Sequence, residues 1–351
     1  MGARAGRTAL LLVCAVGLAE AKPPRRRVAP TPAGPCAILV TLDGVRWQEV
    51  FQGTDPGLGP TKGAPTLPLL LKKRPGTLLF GDPGTDVEVT IANGTSLSLP
   101  GYLTLLTGKK TRCANNRCDR VGIETLPERL VRELHLPARQ VATLTSWELL
   151  AHAVEHVQGA TFVNAGRVAL DDGHPDARSR HLNQAERDDP PRKWARARFD
   201  AYTMAHALRY LRLHRPRYLH IGLNDADEWG HLGDYATYIK TLRRYDGWLR
   251  QLLGTLGGLG AYGKRCSVVV TTDHGRGTGA EWIDHRESAA ARRVWLWVHG
   301  PLAQQLATPP AGARYSHLDL RPTVERLFGL APCDGCTDGL PLRPPKRPRR
   351  R

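Results

Sequence analysis

The chain contains no apolar run of the roughly eighteen residues that a membrane-spanning helix requires, and it has no internal repeat. Seven cysteines among 351 residues are too few for a small disulfide scaffold, and the glycines follow no collagen period. Aromatic residues are scarce, at 6%. A hydrophobic share of 41% against 24% charged residues nevertheless supports a buried core, which excludes a wholly disordered chain. The length suits one sizeable domain and is short for two.

Negative charge is in deficit, for a net +17, but the excess is unevenly placed. Arg4, Arg7 and Glu20 contribute +1, and Lys22, Arg25, Arg26 and Arg27 contribute +4. Arg343, Lys346, Arg347, Arg349, Arg350 and Arg351 contribute +6, leaving a modest +6 for the body. No specific nucleic-acid partner is therefore expected. Residues 22–35 read as a basic Pro-rich linker and residues 341–351 as a basic disordered tail, solubilising in the plain reading and anion-binding in the alternative.

Residues 1–21 read as a signal peptide. Arg4 and Arg7 precede a short apolar stretch, and Ala19-Glu20-Ala21 is a small-x-small cleavage site. Val13 before Cys14 argues against a lipoprotein, and a buried N-terminal helix is the other alternative. A secreted, extracellular or periplasmic chain works in an oxidising compartment. Six cysteines remain after removal of the leader. Pairing Cys113 with Cys118 and Cys333 with Cys336 closes two short loops and leaves Cys36 with Cys266, each just before an apolar strand candidate. A four-cysteine zinc site from the two short pairs is the rival reading.

Strand candidates lie at residues 37–42, 87–91, 140–144, 218–223, 267–271 and 294–298. Helical stretches lie at 126–134, 195–213, 234–253 and 320–328. The continuous apolar run at 37–42 suits a strand covered on both faces. This alternation predicts an α/β domain over residues 36–340, with a mostly parallel central sheet and helices on both faces. The polar stretch 171–192 reads as a surface excursion, a candidate small cap.

Ligands of open α/β sheets sit beyond the carboxyl ends of the strands. Four strand candidates run into acidic or hydroxyl residues there: Asp43-Gly44, the segment leading to Ser98-Leu99-Pro100-Gly101, Asn224 through His231, and Asp273-His274-Gly275. One such ending is a turn or a helix cap; four together point to a site. Carboxylate and imidazole ligands suit zinc, manganese or iron. Asp227 and His231, four apart, reach one ion from a single helical turn. Gly275 is expected to turn the backbone so that both of its neighbours face the site. Ser98 supplies a hydroxyl nucleophile before a helix expected at 101–107, whose N-terminus favours an anion. An N-cap serine is the alternative, and Thr95 and Ser96 are nearby competitors.

This ordered set resembles the alkaline phosphatase superfamily, and within it the type I phosphodiesterase/nucleotide pyrophosphatase branch, including its compact bacterial members. The resemblance covers about residues 36–330. It implies two divalent metal ions, zinc with manganese as the alternative. Asp227, His231 and a third histidine would hold one, and Asp43, Ser98, Asp273 and His274 the other. His285 is the expected third histidine and His317 the alternative, although Arg286 stands where compact members carry glycine. No arginine follows Ser98-Leu99-Pro100-Gly101-Tyr102, which disfavours a sulfatase. The resemblance also implies an asparagine that grips the phosphoryl oxygen, a place that Asn115 or Asn116 would fill. Lys109, Lys110 or Arg112 would instead suit a phosphomonoester. The expected protein is thus a secreted hydrolase acting on a phosphorylated small molecule or nucleotide through a phosphoseryl intermediate at Ser98. Its alternatives are a phosphomonoesterase, a mutase, a catalytically degenerate binding protein and a tail-led anion binder.

Overall fold

The computed structural model describes residues 33–59, 63–194, 196–333 and 335–342. The expected signal peptide 1–21, the linker 22–35 apart from its last three residues, and the tail from 343 lie outside the described residues. The described strands are β1 (Cys36–Leu42), β2 (Thr77–Phe80), β3 (Glu88–Thr90), β4 (Val141–Thr145), β5 (Phe162–Ala165), β6 (Tyr218–Leu223), β7 (Cys266–Thr271), β8 (Arg293–Val294), β9 (Leu296–His299) and β10 (Arg314–Ser316). Seven form one sheet in the order β2-β9-β7-β1-β6-β4-β5. The five from β7 to β5 run parallel, and β9 is antiparallel to β7.

Side chains alternate across a strand, so a central strand must feed two cores. In β1, Ile38, Val40 and Leu42 enter one apolar cluster, which also takes Met204, Leu208, Leu211, Tyr238, Leu242 and Leu249 from two long helices, Asp200–His214 and Tyr235–Gly258. Ala37 and Leu39 enter a second cluster with Leu99, Leu105, Leu130 and Val324 from helices Ser98–Thr107, Leu126–Glu133 and Leu320–Leu327. Every residue of β1, β6 and β7 is buried, which is why these segments read as predominantly apolar runs. Cys36 and Cys266 are direct partners in the β1–β7 register and are disulfide-bonded. Cys113–Cys118 and Cys333–Cys336 are the other two bridges.

Several expectations are corrected. The strand expected at 87–91 is β3, which belongs to a separate three-stranded sheet of order β10-β3-β8. Three endings of main-sheet strands rather than four therefore reach the site. The run 294–298 splits at Trp295, so that β8 pairs with β3 and β9 joins the main sheet. The Trp295 side chain is buried between them and its indole N–H donates to Val45 O at 3.1 Å. The helix expected from 195 begins at Asp200. Ala197 is bridged to Trp147 and the buried Arg198 donates to Asn164 Oδ1 at 2.7 Å, which keeps this backbone extended. The excursion at 171–192 contains a helix, Ala177–Asp188, started by a capping box between Asp176 and Ser179.

Candidate active site

Three adjacent central strands place the carboxylates. Asp43 follows β1, Asp227 lies in the helix Asp225–His231 just after β6, and Asp273 follows β7. Asp43 N still donates to Leu223 O at 2.9 Å, so the strand pairing runs to the edge of the site. Gly44 takes a φ of +64°, and a Cβ there would collide with Asp227 Oδ1. Gly275, expected to turn the backbone, has no positive φ; a Cβ there would stand 3.0 Å from Arg293 O, so close approach is what requires glycine.

Ser98 is the first residue of its helix rather than the cap, which is Leu97. Its hydroxyl is therefore free of capping and donates to Asp43 Oδ1 at 3.3 Å, with His274 Nε2 3.2 Å away. The helix itself is buried throughout. A Cβ on Gly101 would approach Asp273 O to 2.7 Å, so this glycine lets the helix lie against the end of β7. Ser96 has a buried hydroxyl without a partner, while its carbonyl accepts from His285 Nδ1 at 2.6 Å.

The three histidines share one device. Nδ1 of His274 donates to Gly275 O at 2.9 Å, Nδ1 of His231 to Ile283 O at 2.9 Å, and Nδ1 of His285 to Ser96 O. In the neutral ring, donation from Nδ1 leaves Nε2 as the lone-pair nitrogen, the state that a metal ligand needs. Those Nε2 atoms face Asp227: His231 at 3.1 Å, His285 at 3.6 Å and His274 at 3.9 Å. His274 Nε2 is also 3.4 Å from Asp43 and 3.4 Å from Asp273 Oδ2. Two groups of possible ligand atoms, each within 4.8 Å, result: Asp227, His231 and His285, and Asp43, Asp227 and His274. His317, buried behind Thr271 and Leu296, joins neither. The two asparagines separate. Asn116 Oδ1 accepts from Leu99 N at 2.9 Å beside Ser98, whereas Asn115 is exposed and accepts from Arg117 N.

The electrostatics are those of a cluster built for added positive charge. Burial, then the Asp273 and Asp227 carboxylates, hold Asp43 well above the ordinary range. Burial foremost raises Asp273, whose Oδ2 lacks a hydrogen-bond partner. Burial, then the neighbouring His274, pushes His285 down to about 2. Crowded buried carboxylates beside three imidazoles, with an orphaned carboxylate oxygen, fit borderline divalent ions, which would relieve the repulsion. Sequence reasoning missed two partners. Arg276, fully buried, pairs with the Asp227 carboxylate and donates to Asp227 O at 2.7 Å. Against the cost of burial, Arg276 and then His231 hold Asp227 well below its usual range. Tyr102 donates to Asp43 Oδ2 at 3.1 Å, and burial, then the Asp43 charge, pushes its hydroxyl far up.

Outside the ligands, Asp200 anchors the Asp225–His231 helix. Its buried carboxylate accepts from Asn224 N at 2.8 Å, Asp225 N at 2.9 Å, Ser146 Oγ and Tyr245 Oη.

Among solved structures, a 2-O GAG sulfatase superposes with a TM-score of 0.57 at 16% identity, covering 88% of this chain and 73% of that one. A phosphonate monoester hydrolase of Agrobacterium radiobacter gives 0.55 at 14% identity, with 88% and 76% covered. The lipoteichoic acid synthase LtaP of Listeria monocytogenes gives 0.52 at 14%, with 85% and 72% covered. At such identities the likeness is one of fold. No curated protein sequence matches the chain. The sequence itself matches one family model across residues 37–294, most of the described chain and all of the residues that converge on Ser98. By that match the chain belongs to the type I phosphodiesterase/nucleotide pyrophosphatase family.

Proposed function

We propose that the protein is an exported, metal-dependent hydrolase that cleaves a phosphodiester or pyrophosphate bond of a small-molecule or nucleotide substrate, with Ser98 as its nucleophile. The carrying observation is the Ser98 hydroxyl between Asp43 Oδ1 and His274 Nε2, at the N-terminus of a buried ten-residue helix. In this reading Asp227, His231 and His285 hold one ion, and Asp43, Ser98, Asp273 and His274 the other. Divalent ions, when bound, supply Lewis-acid stabilisation of the attacking and leaving oxygens. Ser98 Oγ gives up the proton it donates to Asp43 and attacks phosphorus in line, and the leaving group departs with its oxygen and takes up a proton. Water then cleaves the seryl ester, releasing the remaining phosphomonoester and restoring Ser98. The helix N-terminus favours the charge that gathers on the phosphoryl oxygens. Leu99 N holds Asn116 Oδ1, which leaves the Nδ2 hydrogens to grip one of those oxygens.

The diester reading has a structural argument behind it. A doubly charged monoester calls for a cationic side chain near Ser98. Lys109 and Lys110 instead follow the far end of the helix, about 15 Å along its axis, and Arg112 is exposed. Export is supported by the leader expected at 1–21 and by three disulfides. Ser98→Ala and Asp273→Ala should each abolish hydrolysis of a bis-aryl phosphate while far-ultraviolet dichroism stays unchanged. Turnover at the parent rate in either variant defeats the assignment. A panel of mono- and diesters, run with elemental analysis of the purified protein, decides the substrate class and the metal.

A further inference from the structure

A second cluster of nitrogen and oxygen donors lies where the chain after β5 meets the end of helix Asp200–His214. Asp172 is buried, at 2% exposure, and His214 Nε2 lies 3.0 Å from its Oδ2. Asp172 Oδ1 accepts from His174 N at 3.0 Å, and Arg209, which is paired with Asp172, also donates from Nη2 to His174 O. The backbone of His174 is therefore pinned at both its N–H and its C=O, which fixes where its imidazole emerges. The rings of His174 and His214 lie 5.1 Å apart, and Tyr210 packs on His214 with 4.2 Å between centroids. One donor atom from each of Asp172, His174 and His214 lies within 4.8 Å of the other two.

We propose that Asp172, His174 and His214 form a second metal site, separate from the Ser98 centre, that takes one divalent ion of the zinc class. Two imidazoles and one carboxylate match three protein ligands of a tetrahedral zinc, with water as the fourth. Hard ions such as calcium and magnesium favour all-oxygen shells and are not expected. On a tetrahedron with zinc bonds of about 2.0–2.1 Å, neighbouring ligand atoms stand ~3.3 Å apart. The 3.0 Å between His214 Nε2 and Asp172 Oδ2 is already close to that spacing. The ion takes the place of the proton on His214 Nε2, which the neutral ring then carries on Nδ1 instead.

Arg209 is the obvious objection, since its guanidinium also sits on Asp172. Its charge is opposed by two carboxylates, because Asp176 Oδ2 lies 3.2 Å from Nη2. With both imidazoles neutral the group carries a net negative charge, which favours a cation. Burial raises the cost of a charged Asp172, yet its bonds to His214 and Arg209 outweigh this and hold it ionised and ready to ligate. The consequence is a staple. Asp172 and His174 belong to the excursion and His214 to a core helix, so a bound ion ties the excursion to the body. That helix begins at Asp200, the anchor of the segment bearing Asp227 and His231.

The test counts zinc per chain by equilibrium dialysis followed by elemental analysis of the full-length protein. The parent should hold one equivalent more than His174→Ala, a surface substitution that leaves the fold intact, and His214→Gln should lose the same equivalent. Asp227→Ala combined with Asp273→Ala empties the Ser98 centre. That chain should still bind one zinc, and adding His174→Ala should remove it. Equal stoichiometry in parent and His174→Ala overturns the proposal, even if the doubly substituted chain cannot be purified. Loss of all zinc from the Asp227/Asp273 variant overturns it as well. A parent that binds a single zinc, lost on His174→Ala, would uphold this site while rejecting the dinuclear centre.

Discussion

Asp200 and Asp225 form a close acidic pair with opposite roles, and exchanging each for its amide separates them. Asp200 Oδ1 accepts from Asn224 N and Ser146 Oγ, and Oδ2 from Asp225 N and Tyr245 Oη. Burial raises Asp200, but these four donors on two oxygens pull the other way and favour its ionised form. Burial, then the charge on Asp200, drives Asp225 well above the ordinary range, so Asp225 keeps a proton. In Asp200→Asn an NH2 group must replace one of those oxygens. The Ser146 and Tyr245 hydroxyls can rotate to accept, but a backbone N–H cannot, so one buried N–H loses its acceptor whichever way the amide faces. That costs about 1–3 kcal/mol, and the other bonds lose their charge assistance, for a total of roughly 2–4 kcal/mol. Asp225→Asn imitates a protonated acid and should cost less than about 1 kcal/mol. Urea denaturation of the metal-stripped chain at neutral pH measures both. The stranded N–H belongs to the start of the Asp227/His231 segment, so Asp200→Asn should also lower kcat more than it raises KM. Equal destabilisation by the two amides, or a smaller effect from Asp200→Asn, would refute the assignment of charge to Asp200.

Three further outcomes are expected. Burial, then the Asp227 charge, raises Glu228 from its ordinary 4.5 to about 7. Between these values the folded chain binds more protons than the unfolded one, so the metal-stripped protein should lose stability as pH rises through that window. At ~1.4 kcal/mol per unit the loss is at most roughly 3 kcal/mol, and Glu228→Gln should flatten the curve of urea midpoint against pH. Arg276→Met strips the buried Asp227 of its guanidinium and removes the Arg276 bonds to the Asp227 and Trp282 carbonyls. It should destabilise the stripped chain by roughly 3–5 kcal/mol, and a change below ~1 kcal/mol would contradict the buried pairing. Cys36→Ala with Cys266→Ala opens a bridge of sequence separation 230. Chain entropy puts the loss on the order of 5 kcal/mol in thermal or urea unfolding, and an unshifted transition would count against the bridge.

The readable parts of the sequence were those with a single physical cause. The centres of β1, β6 and β7 are covered on both faces, so their apolar runs survive any reading, and an acidic residue after such a run marks the edge of the sheet. The short strands β2, β5 and β10 carry three or four residues each, too few for a period to emerge. Trp295 looked like one more strand residue. Its indole bond to Val45 O divides the run between two sheets, a tertiary cause that local pattern does not carry. Arg276 went unnoticed for the same reason. An arginine after Asp273-His274-Gly275 reads as surface charge until the Asp227 carboxylate is seen beside it. Ser98 could be told from a capping serine only once its hydroxyl had partners in two other loops.

Strand order also bears on how the protein is made. β1 is synthesised first, yet its two neighbours are β6 and β7, which leave the ribosome some 180 and 230 residues later. For most of translation this apolar strand has neither edge paired by its final neighbours, the condition that invites aggregation. A product truncated before residue 266 lacks β7, Asp273, His274 and His285 together, so no partial enzyme is made. The pairing of β1 on both edges thus waits until synthesis has passed residue 271.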